Sequence, residues 1–280
     1  MKVAIFTNTC PIQNALINKI ISKGINIDTI FISKNIIPSK KRKISYIFNR
    51  LLRVPFELPF RISWEKLRSH YKKRYPNTPK NCNVIEVDNI NNEIVIQYIK
   101  TQKPSLIIVS ATTMVKDRII EEAEKINCMI LNLHTGVSPY IKGGPNCTNW
   151  CLALDYYLIG NTIMKLDKGI DSGAIITTEC TKLDGDESLY DLHYKVFEHG
   201  FNLYIRVINC LIEKKKVPNI ILQDNITKEG KLFYTKDWTI TQVIKAYYNF
   251  LFNYKKGIKV FNKKDIILFP FKCERDKDEK

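Results

Sequence analysis

An amide and an imidazole two residues apart, Asn132 and His134, close the run Met129-Ile-Leu-Asn-Leu-His134. Alternation along a strand puts both side chains on one face and Leu133 on the other, toward a core. Two donors converging at a strand end can hold the negative charge that develops on a carbonyl oxygen in a tetrahedral intermediate. Further along, Gly169-Ile-Asp-Ser-Gly173 places Asp171 between two glycines. A carboxylate there can pair with His134, raise its pKa and keep it cationic. Asp167 is the rival carboxylate, although it fits the turn Asp167-Lys168-Gly169 itself. An Asx turn opening a strand and a histidine closing a loop are the plain alternatives. A third stretch, Ser110-Ala-Thr-Thr-Met114, follows the apolar run from Leu106. Its small residues ending in Met114 suit a wall against a flat heterocycle, and ordinary core and loop is an equal reading.

The elements that must position these residues alternate. Val3 to Phe6 reads as a buried strand, and Ala15, Leu16, Ile20 and Ile21 as a helix stopped by Gly24. Ile25 to Ile32 reads as the second strand. A right-handed β-α-β crossover into a parallel sheet follows from that order. After an interruption the rhythm resumes. Val84 to Val87 is a strand, Asp88 or Asn89 caps a helix ended by Lys103-Pro104, and Leu106 to Ser110 is a strand. Asp117 to Lys125 is a helix, and Met129 to Asn132 is the next strand. Ile159 to Leu166 and Ala174 to Thr178 read as two more strands, and Ser188 to Glu213 as a long helix. The fold class is α/β, a Rossmann-like, mostly parallel sheet with helices on both faces plus a short carboxy-terminal extension. Residues 1–217 are expected to form the main domain and 218–280 the extension. Asn132 and His134 then lie at the carboxyl edge of the sheet, where sites of open α/β sheets collect.

The interruption spans residues 34–80. Between Ser39 and Lys80 there are 13 Lys/Arg against two acids, Glu57 and Glu65, within a chain of net charge +16. Tyr46, Ile47, Leu51 and Leu52 suggest one amphipathic helix there and Trp64, Leu67 and Tyr71 another, inserted over the sheet. Such a balance favours polyanionic or phosphorylated partners. The eight cysteines are scattered without a C-x-x-C pair, so no metal site is expected. No uncharged apolar run reaches the length that spans a bilayer. A reducing, cytoplasmic setting with free thiols is the expectation.

Taken in order, the buried strand, Asn132-x-His134 with its Ser-Pro and Gly-Gly loop, and Gly-Ile-Asp171-Ser-Gly resemble the folate-dependent formyltransferases. That family includes the glycinamide ribonucleotide, methionyl-tRNA and nucleotide-sugar enzymes. The resemblance covers roughly residues 1–215 and is strongest from Leu106 to Glu213. It departs at Thr135, where many members carry proline, at the first loop Asn8-Thr-Cys-Pro, and in the length of the basic segment.

The resemblance implies a direct transfer of formyl from 10-formyltetrahydrofolate to an amine, with Asn132, His134 and Asp171 catalytic and no metal. Folate contacts are expected from Ser110, Ala111, Thr112 and Met114 and from Asp167 and Ile170. Acceptor contacts are expected from Asn8, Thr9, Lys142, Gly143 and Asn146. The acceptor reading is a small, phosphorylated amine, first a nucleotide-linked amino sugar, because Gly230 to Trp238 resembles segments of sugar-modifying members. Glycinamide ribonucleotide and methionyl-tRNA are alternatives, and a homodimer is left open. No stable nucleic-acid partner is expected. The competing class is a non-catalytic nucleic-acid or membrane-surface binder, carried by the basic segment.

Overall fold

Short apolar runs become the strands of one seven-stranded sheet. The computed structural model describes residues 1–35, 44–79, 82–144, 146–214, 220–227, 230–261 and 266–272. In chain order the elements begin with β1 (Val3–Thr7), α1 (Pro11–Ser22), β2 (Thr29–Ser33), α2 (Ile44–Arg74) and β3 (Asn83–Val87). They continue with α3 (Glu93–Gln102), β4 (Leu106–Val109), α4 (Asp117–Lys125), β5 (Met129–His134), β6 (Ile141–Gly143) and α5 (Cys147–Ala153). The remainder are β7 (Gly160–Lys165), β8 (Ile175–Cys180), α6 (Leu189–Lys214), β9 (Lys231–Phe233), α7 (Ile240–Phe252) and α8 (Tyr254–Val260).

The large sheet runs β3-β2-β1-β4-β5-β7-β8, and β6 pairs with β9 in a small one. The first five strands are parallel, and β7 and β8 turn antiparallel. Alternating residues feed two cores. Val3, Ile5 and Ile30 pack with α1 and α6 on one face. Ala4, Phe6 and Phe31 pack with α3 and α4 on the other. This is the α/β sheet with helices on both faces that the sequence leads one to expect.

Two expected element starts need correction. The second strand starts at Thr29, not Ile25. Asp28 forms a two-way clasp with Val3, accepting from its N–H at 2.7 Å and donating to its carbonyl at 2.9 Å, which fixes the chain just before the ladder begins. The cap of α3 is Asn92, whose side chain accepts from the Ile94 N–H. Asn89 instead makes its own turn with the Asn91 N–H.

The basic segment forms one helix of 31 residues, α2, that runs through Pro55 and Pro59. A proline in a helix interior costs about 3 kcal/mol. Burial of Phe60 and Leu67 returns about 1.5–3 kcal/mol each. Tyr71 adds a hydrogen bond from its hydroxyl to Glu198 Oε1 at 2.8 Å. Tertiary packing therefore carries the helix past the breaks that sequence reads as ends. The Lys40–Lys43 run lies outside the described residues.

After α6, the chain returns to the main body. Val243 and Ala246 of α7 join Trp150, Leu152 and Phe60 in a third core. Among the described residues no helix is long and apolar enough to cross a membrane. Cys10, Cys82, Cys128, Cys147 and Cys151 are free thiols. Cys210 takes part in a disulfide, against the expectation that all the thiols are free.

Candidate active site

β5 places the amide and the imidazole. Its residue Asn132 stands in register with Val109 of β4 on one side and Met164 of β7 on the other, and His134 stands opposite Thr162. Leu133 packs into the core shared with α1 and α6. Asn132 is half-buried, whereas His134 is buried.

Asp171 gathers both side chains. Its Oδ1 accepts from Asn132 Nδ2 at 3.2 Å. Its Oδ2 lies 3.1 Å from His134 Nδ1 and accepts from the Gly143 N–H at 3.0 Å. Asp171 is in the left-handed region, at φ 47°. Aspartate tolerates that backbone better than branched residues do. The side chain of Gln223, from beyond α6, secures this turn: its Nε2 donates to the carbonyls of Asp171 and Gly173, both at 2.8 Å. Asp167 is elsewhere. It is exposed, and its Oδ1 accepts from the Gly169 N–H and the Ser172 hydroxyl, as a turn residue does.

The surroundings of His134 select its charged form. Nδ1 meets a carboxylate and Nε2 meets the Ile141 carbonyl at 3.0 Å. Neither partner can donate, so a neutral ring would turn one lone pair toward an oxygen. Cys147 Sγ lies 3.5 Å from Nε2 and directs its own S–H to the Gly143 carbonyl at 3.1 Å. Burial by itself lowers the imidazole pKa. The Asp171 carboxylate, backed by Cys147 and the Ile141 carbonyl, overrides burial and pushes it up to about 10. Burial pushes the Cys147 thiol up, which keeps it neutral.

Glycines allow this packing. A Cβ on Gly136 would stand 2.4 Å from His134 Nε2 and 2.9 Å from the Ile141 carbonyl oxygen. Gly143, at φ +65°, presents its N–H to Asp171, and a Cβ there would meet the Phe233 carbonyl at 2.4 Å. The loop between them hangs on Thr162, whose hydroxyl donates to the Gly136 carbonyl at 2.7 Å and accepts from the Ser138 N–H at 2.9 Å. β9 runs beside β6, and the Phe233 ring stacks on Trp150 at 4.3 Å.

The remaining expected residues occupy several positions. Ser110 to Met114 follow β4 at the same sheet edge as Asn132. Asn8 Nδ2 donates to the Ala111 carbonyl at 2.6 Å, tying the first loop to this one. Asn35 accepts from the Thr113 N–H and Asn91 donates to the Met114 carbonyl, so asparagines from three strand ends shape the loop. The Thr112 hydroxyl turns onto the Thr113 carbonyl, Ser110 is buried, and Met114 is exposed. Thr9 is exposed and Lys142 is half-buried. Ile170 borders Gly143. Asn146 caps α5 by accepting from the Asn149 N–H at 3.2 Å. Sequence reading missed Gln223, Ile141, Gly136 and Cys147. A backbone carbonyl carries no residue signature, and Gln223 lies far from the motif in the chain.

No family model matches the chain. It is 30% identical over 123 residues to the methionyl-tRNA formyltransferase of Clostridium tetani, covering 44% of this chain and 39% of that one. It is 24% identical over 157 residues to the enzyme of that name from Syntrophus aciditrophicus, covering 56% and 49%. The matched portion is thus half or less of those relatives' length. Among solved structures, a 4-N formyltransferase from Francisella tularensis aligns with TM-score 0.53 at 18% identity, over 88% of this chain and 86% of that one. The N-formyltransferase of Helicobacter canadensis, solved with folinic acid and dTDP-3-aminofucose, aligns with TM-score 0.53 at 15% identity, over 88% and 80%. The chain is thus similar in sequence to methionyl-tRNA formyltransferases over about half its length, and over most of its length it shares the fold of solved formyltransferases.

Proposed function

We propose that the chain transfers a formyl group from 10-formyltetrahydrofolate to a primary amine, in the cytoplasm. The observation that carries this reading is the convergence of Asn132 and His134 on Asp171 at the carboxyl edge of the sheet. The donor set fits a carbonyl substrate. Asn132 Nδ2 has two N–H groups, and Asp171 accepts one of them. The second can donate to the formyl oxygen as it becomes an alkoxide. Cationic His134 adds positive charge beside that oxygen. The amine nitrogen bonds to the formyl carbon, the bond from that carbon to N10 breaks, and the amine proton ends on N10. Asp171 takes up and returns that proton, through water, while holding the imidazole charged. Folate contact is assigned to Ser110–Met114, Asp167 and Ile170.

The acceptor proposed is a nucleotide-linked amino sugar, bound along Asn8, Thr9, Lys142, Gly143 and Asn146. The fold likeness to the H. canadensis enzyme, solved with an aminated nucleotide sugar, supports it. Nucleotide phosphates also suit a chain of net charge +16. The sequence relatives favour a second reading, methionyl-tRNA as acceptor. The test is to incubate the protein with 10-formyltetrahydrofolate and, separately, aminated nucleotide sugars, glycinamide ribonucleotide and methionyl-tRNA. Release of tetrahydrofolate that depends on one amine identifies the acceptor. No amine-dependent release with any of them would sink the proposal.

A further inference from the structure

We propose that the outer side of α2 docks this protein on an anionic lipid surface. The argument starts from spacing. Val54, Leu58, Ile62 and Lys66 stand four apart, and Ser69 and Lys73 continue the row on the same side of the helix. Phe60, Ser63, Leu67 and Tyr71 take the opposite, inward side. The outward residues are therefore not core. Leu58 is 51% exposed and Ile62 47%, values that folding alone leaves unexplained in a row of this length. The neighbouring α7, which meets α2 through the Phe60 and Tyr247 rings, has its own exposed apolar row of Ile244, Tyr248, Leu251 and Phe252.

Charge chooses the occupant. Where the apolar row of α2 ends, Lys66, Ser69, His70, Lys73 and Tyr190 frame an open cleft of about 350 Å³. Lys66 and Lys73 are in no ion pair among the described residues, whereas Arg61 and Arg68 on the same helix are paired with Glu57 and Glu65. Two free ammonium groups and a hydroxyl are the donors that a phosphate diester headgroup requires. An amphipathic helix with aliphatic residues for the acyl boundary and lysines for the headgroups is the arrangement that binds an anionic interface. RNA would use the lysines and leave Val54, Leu58 and Ile62 without a role. A second copy of the chain would bring a like-charged helix against this one.

The test is co-sedimentation of the protein with phosphatidylcholine vesicles, with and without phosphatidylglycerol, at low and high salt. Binding to the anionic vesicles alone, weakened by salt, is expected. Lys66→Gln with Lys73→Gln should weaken it roughly 30-fold, from about 1 kcal/mol per cation near such a surface. Leu58→Asp with Ile62→Asp should abolish it, and unchanged circular dichroism would show that these solvent-facing changes leave the fold intact. No binding to anionic vesicles at low salt overturns the proposal. So does binding that both double variants retain, or that RNA displaces. A dimer in light scattering that Leu58→Asp with Ile62→Asp dissociates would assign the face to a second copy instead, and equally overturn it.

Discussion

The two ends of the sheet are built by different rules. In the parallel strands β2, β1 and β4, strand interiors are apolar: Val3, Ala4, Ile5 and Phe6 are all fully buried. In the antiparallel half, β7 and β8 bury Asn161, Thr162, Thr177 and Thr178 just as completely. Buried polar groups have to be paired, and three of these pair outward. Asn161 donates to the Val196 carbonyl at 3.0 Å, Thr162 to Gly136 at 2.7 Å and Thr177 to Phe269 at 2.7 Å. Apolar burial is non-directional and tolerant of small shifts. Hydrogen bonds are directional, so the second half can hold loops in one orientation. The candidate site is suspended from that half.

The sharpest way to break the comparison is Asp171→Asn. It keeps the shape and removes the charge that holds His134 protonated. kcat should fall on the order of 1000-fold, while Asp167→Asn, at a residue assigned to folate contact, should act on the folate KM and change kcat far less. The same change has a pH signature. His134 has its pKa raised from 6.5 to about 10. Its charged form, and the stability that form contributes, is fully present below 6.5 and is lost as pH rises through about 10. The wild-type rate should hold through neutral pH and fall on the alkaline side, and in Asp171→Asn that fall should move to lower pH. Equal pH profiles would separate Asp171 from the charge of His134.

Next in size is Gly136→Ala. The new methyl meets His134 Nε2, so the ring must move, and a misplacement of that order costs on the order of 100-fold in kcat. A thermal melt should change far less than the rate. Gln223→Leu follows. It removes both bonds to the Asp171 turn and leaves two carbonyls unpaired, a loss of about 1–3 kcal/mol in a denaturant titration. kcat should fall with it, because the carboxylate is no longer held. If stability drops and kcat stays, Gln223 is only a brace for the extension.

The smallest effect belongs to the parallel half. Ile107→Val, in the middle of β4, should cost about 1 kcal/mol of stability and leave kcat untouched. A clear fall in kcat there would mean that the apolar half also tunes the site, and the division between the halves would fail.

The sequence by itself determined the alternation of strands and helices through Lys125, because apolar runs and their polar breaks act locally. It also placed Asn132 and His134 at a strand end, since a two-residue period admits one arrangement. Only tertiary structure decided that α2 continues through two prolines, because its stabilisation comes from α1, α6 and α7. The sequence already favours Asp171 over Asp167, which fits the turn, but only tertiary structure supplies the left-handed backbone, held by Gln223, that brings the Asp171 carboxylate to His134. The charge of His134 was foreseen as a pairing with a carboxylate. What holds it from the other side, the Ile141 carbonyl and the space left by Gly136, is a matter of backbone position. No side-chain pattern encodes a backbone position, so that part of the site waited for the fold.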